Sequence, residues 1–293
     1  MQRRCAEKKL SVPRNSPAPL QLLVYAFPSL HPYQRALPAH PLQKMRLLRV
    51  GDDDSLKLTD DVINPVHPYA ILSHTWGQDH EEVTFEDVNN AHRKADKPGD
   101  KKLQFCAKQA ARDDIKYIWI DTCCINKSNF TELSEAINSM FHWYSNAAKC
   151  YVYLEDVAAP GTQTGSWEEA FQKSRWFTRG WTLQELIAPR YVQFFCSDGT
   201  LLGDKGSLER QIQQVTKIPA SALSGTPLSS FSISERLSWA ETRDTKRPED
   251  KAYSLLGIFN IHIPLIYGEG RNHAFRRLRE EIDRSSGPAQ VRK

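Results

Sequence analysis

The sequence has no apolar run approaching the roughly 18 residues of a membrane-spanning helix, so nothing in it marks a bilayer span. Cysteine is scarce: Cys5, Cys106, Cys123, Cys124, Cys150 and Cys196 are spread thinly over 293 positions. That is not the dense framework of a small secreted domain, and it points to reduced thiols and a cytoplasmic protein. No second His or Cys stands at a metal-ligand spacing from His74, so no zinc motif is present there. The Gly268-Glu269-Gly270 turn lacks both the lysine and the preceding strand of a phosphate-binding loop. Acidic residues are nearly missing from positions 1–50, where nine basic side chains face Glu7 alone. The remainder holds 30 basic and 34 acidic residues, a net −4 beneath the overall +4. The body of the protein therefore offers no basic face for nucleic acid.

What is present divides the chain. Residues 1–44 are basic and punctuated by Pro13, Pro17, Pro19, Pro28, Pro32, Pro38 and Pro41, and no apolar period survives there. A disordered leader is expected. The run Leu22–Phe27 is short and proline-bracketed for a signal peptide, while the basic, acid-poor composition also suits a mitochondrial presequence or a start at Met45. From Met45 strands and helices alternate. Tyr69–Ser73, Tyr117–Ile120, Cys150–Leu154 and Tyr191–Phe195 read as buried strands. Between them lie helical stripes: Leu103, Cys106, Ala107, Ala110 and Ala111; then Leu133 to Tyr144 behind a Thr131 cap; then Leu183, Leu186 and Ile187. This order predicts an α/β, doubly wound, mainly parallel sheet. Ligands of such sheets sit beyond the carboxyl ends of the strands, where Ser73-His74 and Asp121-Thr122 would share one edge. A helix beginning at Pro248 and a last one carrying Phe275, Leu278 and Ile282 would form a helical C-terminal addition, with a flexible tail over 284–293.

Four segments carry a family resemblance: Tyr69–Gly77 (YAILSHTWG), Tyr117–Lys127 (YIWIDTCCINK), Ser174–Arg190 (SRWFTRGWTLQELIAPR) and Glu249–Gly270 (EDKAYSLLGIFNIHIPLIYGEG). In this order they resemble the fungal heterokaryon-incompatibility (HET) domain, over residues 45–283, with Asn126 where Asp is expected. The resemblance implies non-self recognition in which fusion of incompatible hyphae triggers programmed cell death. It also implies self-association and contacts with other incompatibility or regulatory proteins. A more distant similarity links HET domains to Toll/interleukin-receptor (TIR) domains, many of which hydrolyse NAD, and implies a TIR-like, flavodoxin-like sheet. Ser73-His74 followed by Trp181-x-x-x-Glu185 matches the TIR order. On this reading NAD is a substrate, with no tightly bound cofactor and no metal. The rival is a non-catalytic, oligomerising interaction module that recruits a partner.

Each candidate residue has two readings. Glu185, flanked by Leu183, Leu186 and Ile187, is the candidate acid: a carboxylate among apolar positions is costly without a task or a partner. It could stabilise a cationic sugar, as in glycosidases, or pair with Arg179 or Arg190. Trp181, and less readily Trp176, could stack on a nicotinamide or adenine ring or simply pack in the core. Ser73, His74 and Asp121 could hydrogen-bond a ribose or phosphate, or satisfy loop backbone. Cys123-Cys124 could supply a nucleophile, but buried cysteine usually behaves as a small hydrophobe. Asp250 and Arg271 read as structural.

Overall fold

The computed structural model describes residues 44–51, 55–63, 65, 67–90, 96–162 and 166–286. Of the expected leader only Lys44 is among them, and residues 287–293 of the expected tail also lie outside the described residues. In chain order come β1 (Lys44–Met45), β2 (Leu48–Val50), β3 (Leu56–Leu58), β4 (Val62–Ile63) and β5 (Tyr69–His74). Then follow α1 (Phe85–Asn89), α2 (Asp100–Arg112), β6 (Tyr117–Trp119), α3 (Phe130–Asn146), β7 (Lys149–Tyr153) and α4 (Trp167–Lys173). A 3-10 turn (Arg175–Thr178) leads to α5 (Thr182–Ile187), β8 (Val192–Phe195) and β9 (Leu201–Asp204). The rest is helical: α6 (Glu209–Thr216), α7 (Ala220–Leu223), α8 (Ile233–Ser238), α9 (Asp250–Tyr253), α10 (Leu256–Phe259) and α11 (Arg271–Ser286), with a 3-10 turn at Leu228–Ser230.

Seven strands form one sheet in the order β3-β2-β6-β5-β7-β8-β9. The central four are parallel: β5 pairs with β6 and β7, and β7 with β8. Antiparallel strands close both sides, β2 on β6 with β3 outside it, and β9 on β8. β1 and β4 form a separate antiparallel pair. All six residues of β5 are buried, as a strand covered on both faces requires. The direction of winding reverses between β5 and β7, so right-handed crossovers place α2 on one face and α3 and α5 on the other. Side chains confirm the two layers. Phe105 of α2 packs on Tyr153 and Phe195, with ring centres 4.9 and 5.0 Å away. On the opposite face Trp119 meets Trp143 and Tyr144 of α3, while Phe171 and Trp176 pack on Phe194. The sheet is thus doubly wound and mainly parallel, as the alternation of elements predicts.

Local details differ from expectation for identifiable reasons. The cap of α3 is Asn129, not Thr131: its side-chain oxygen accepts from the N–H groups of Thr131 and Glu132 at 3.1 and 3.3 Å. The helix expected from Pro248 is two short helices, α9 and α10, broken at Ser254-Leu255. α10 crosses α3 so closely that a Cβ on Gly257 would collide with Phe141. α11 continues to Ser286, three residues beyond the expected domain end at 283.

Candidate functional site

The register that aligns Ile71 with Trp119 sets the site. Two residues on, Ser73 shares the α3 and α5 face, and alternation turns His74 to the other face. Ser73 is fully buried and its hydroxyl donates to Glu185 Oε2. It also accepts the indole N–H of Trp176 at 2.8 Å. Glu185, on α5, is only 4% exposed. Burial, and then the charge of Asp121, push its carboxyl up to about 8, against the pull of hydrogen bonds with Ser73 and Tyr144 and of the Arg243 charge. At neutral pH this carboxyl is mostly a neutral acid. Among the described residues neither Arg179 nor Arg190 forms a salt bridge with Glu185. Arg190 lies over the Tyr191 ring, Arg179 lines a pocket it shares with Glu185 without pairing, and burial dominates the Glu185 carboxyl.

His74 sits between two carboxylates, its Nε2 3.6 Å from Glu82 and its Nδ1 4.0 Å from Asp121. Burial alone would raise the Glu82 carboxyl. His74, Lys102 and the Gly77 N–H nevertheless hold it at about 2, a permanent carboxylate. Lys102, from α2, donates to Glu82 at 2.6 Å and to the Thr75 carbonyl at 3.0 Å, fixing the turn after β5. Asp121 accepts the Trp76 indole N–H at 2.9 Å, and the Lys127 ammonium stands 3.8 Å from the Trp76 ring centre.

These groups border a pocket of about 190 Å³. His74, Asp121 and Glu185 form its polar end; Trp76, Trp181 and Tyr267 supply aromatic wall. Lys127, Arg179, Lys246 and Arg247 bring positive charge. Asp250 also borders it, taking hydrogen bonds from Trp181 at 3.4 Å and Tyr267 at 3.0 Å, with its carboxyl raised by burial. The lining thus offers flat aromatic faces, carboxyl groups able to hydrogen-bond, and cationic side chains in one cavity.

Of the sequence candidates, His74, Asp121, Trp181 and Glu185 meet in this pocket. Ser73 does not line it; its hydroxyl is engaged by Glu185 and Trp176 and supports the acid from behind. Trp176 is fully buried against Phe177 and Phe194 and offers no free face. Cys123 and Cys124 are core residues bound to the Ile120 backbone, and the Cys123 thiol is pushed up by its bond with Cys124 and by burial. That is the opposite of an activated nucleophile. Among the described residues, no group of three His, Cys, Asp or Glu side chains is placed to hold a metal ion. None of the described helices is long and apolar enough to cross a membrane.

Sequence reasoning missed the wall brought by residues 243–250. Asp244 pairs with the Arg179 segment: the Gly180 N–H donates to its carbonyl at 2.8 Å, and its N–H to Thr178 at 2.6 Å. Arg243, 1% exposed, donates to the Trp239 and Arg179 carbonyls and to Thr182 Oγ1. No local spacing announces a pairing of segments this far apart.

Residues 69–165 match the family model described as heterokaryon incompatibility protein (HET). Over 247 residues, 83% of the chain, the sequence is 55% identical to the vegetative incompatibility protein HET-E-1 of Podospora anserina. That match spans 18% of the relative's length. No solved structure matches.

Proposed function

We propose, on the premise that this chain belongs to the heterokaryon incompatibility family, that it acts in fungal non-self recognition and signals cell death by hydrolysing NAD in the pocket around Glu185. The observation that carries this reading is a buried acid hydrogen-bonded to Ser73 at the carboxyl end of a parallel strand, in a pocket also lined by Trp181, Lys127, Arg179 and Arg247. The arrangement is what a TIR-like hydrolase needs. A nicotinamide ring attached to ribose is cationic, and its entry favours loss of the Glu185 proton to solvent. The carboxylate then faces the sugar as the bond from C1′ to the ring nitrogen breaks. The electron pair goes to that nitrogen, neutralising the ring, while positive charge develops on the sugar. Water adds its oxygen to C1′ and releases a proton, giving nicotinamide and ADP-ribose. The protein is expected to work in the cytoplasm, quiet as a monomer and active when self-associated or recruited by other incompatibility proteins.

A second reading draws on the same bond. Glu185, satisfied by Ser73 and Tyr144, could serve only to dock α5 on β5 in a non-catalytic recruitment module. NAD consumption by artificially clustered protein, with Glu185→Gln beside it, separates the two. Loss of a stabilising charge should cost on the order of 100-fold in rate. A folded Gln variant that consumes NAD and kills as well as the wild type would remove the catalytic role.

A further inference from the structure

The size of the pocket limits what it can enclose. At about 190 Å³ it is smaller than the roughly 300–1,000 Å³ of sites that engulf a drug-sized ligand. A sugar with one ring attached is the scale it suits, and anything joined to that sugar must lie at the mouth. Two lining arginines reach toward solvent, Arg179 half-buried and Arg247 exposed. Among the described residues the Arg179 guanidinium has no hydrogen bond, ion pair or ring partner. Arg247 lies over the Tyr267 ring at 4.2 Å, which fixes its plane but leaves its N–H edges unengaged. Asp250 and Glu249 lie close enough to feel the Arg247 charge, but among the described residues neither forms a salt bridge with Arg179 or Arg247. Asp250 is bound by Trp181 and Tyr267, and Glu249 by the Gly268 and Gly270 N–H groups. Lys246, by contrast, is already paired with Asp79. The pairing of Gly180 with Asp244 brings Arg179 to the segment that carries Arg247.

We propose that Arg179 and Arg247 form a diphosphate clamp at the mouth, so that the ligand class is a diphosphate-linked ribonucleotide whose sugar end enters the pocket. This rests on the pocket being the ligand site proposed above, but not on its hydrolysing anything. Two planar forks match the oxygens of adjacent phosphates, and the half-buried Arg179 is a stronger partner for an anion than the exposed Arg247.

The test is calorimetric titration of the full chain with ADP-ribose and, separately, adenosine. Wild-type protein should bind ADP-ribose at least about 10-fold tighter than adenosine, the gap narrowing as salt rises. R179Q/R247Q should lose on the order of 100-fold in ADP-ribose affinity, at about 10-fold per arginine, with adenosine binding unchanged. Should that double variant not fold, R179K and R247K carry the test singly. Each keeps the charge, loses the fork, and should weaken ADP-ribose binding by about 5-fold or more. Equal wild-type affinity for the two probes, binding of neither, or undiminished ADP-ribose binding by folded variants overturns the clamp. NAD turnover is scored separately. Arginine-dependent ADP-ribose binding without turnover keeps the clamp and removes hydrolysis, whereas undiminished turnover in R179Q/R247Q removes the clamp and keeps hydrolysis.

Discussion

Ser73 and Glu185 stand 112 positions apart in sequence, and the serine hydroxyl donates directly to the glutamate carboxyl in the core beside the pocket. That bond ties the end of β5 to α5, and it makes the protonation of one buried acid a property of the whole fold.

The first consequence is a pH dependence of stability. Glu185 titrates near 4.5 when unfolded and about 8 when folded. Between those values the unfolded chain has released a proton that the folded chain keeps, so this residue's contribution falls as pH rises from about 4.5 to 8 and then levels. The span is on the order of 5 kcal/mol. Glu185→Gln should match the wild type near pH 4 and exceed it increasingly up to pH 8. Urea unfolding of both proteins at pH 4, 6 and 8 measures this. Parallel curves would mean that Glu185 is ionised in the fold.

Removing the serine should act twice. Ser73→Ala deprives the Trp176 indole N–H of its acceptor and Glu185 of a donor. A loss of about 1–3 kcal/mol is expected at neutral pH. The hydroxyl also opposes the rise of the Glu185 carboxyl, so the pH at which the stability curve levels should move upward. Unfolding across pH 4–10 reads both effects in one experiment.

Lys205 gives a slope of opposite sign. Its ammonium is buried against the carbonyls of Leu186 and Pro189 at the end of α5, and burial pulls it from 10.5 down to about 8. Between those values the folded chain has lost a proton that the unfolded chain still holds, so this contribution rises with pH. The difference in stability between wild type and Lys205→Met should therefore shift in favour of the wild type from pH 8 to 10. A flat difference would place that ammonium in water.

Gly180 permits the close pairing with Asp244. A Cβ there would collide with the Thr245 methyl, which a β-branched side chain cannot swing aside. Gly180→Ala should cost about 1–3 kcal/mol. Thr245→Ser removes that methyl while keeping the hydroxyl that donates to the Arg247 carbonyl. Combining the two should recover most of the loss, and the interaction energy of the cycle measures the steric conflict. Simple additivity would show that the loop moves freely.

The central sheet was legible in the sequence because its strands are buried on both faces. Runs such as Tyr69–Ser73 and Cys150–Leu154 can hardly be anything else, and β5 and β7 fall on them within a residue. The flanking antiparallel strands β2, β3 and β9 escaped because three or four residues, most of them partly exposed, leave no period to read. Glu185 stood out as a charge among leucines. Arg243 and Arg247 did not, because their roles come from a pairing across the molecule, and Asp250, read as structural, borders the pocket only because Trp181 and Tyr267 fold onto it.

The pocket is assembled from segments near residues 74, 121, 181, 247 and 267. A chain emerging from the ribosome holds Ser73 and Glu185 well before it holds Asp244, Arg247 or Tyr267. Until those arrive Glu185 has neither Arg247 nor Tyr267 to complete the pocket wall. A polypeptide interrupted or clipped before Asp244 would therefore carry Glu185 without a complete pocket. Under the proposed function, a nascent chain would stay harmless until the segment from Asp244 to Tyr267 has folded against α5.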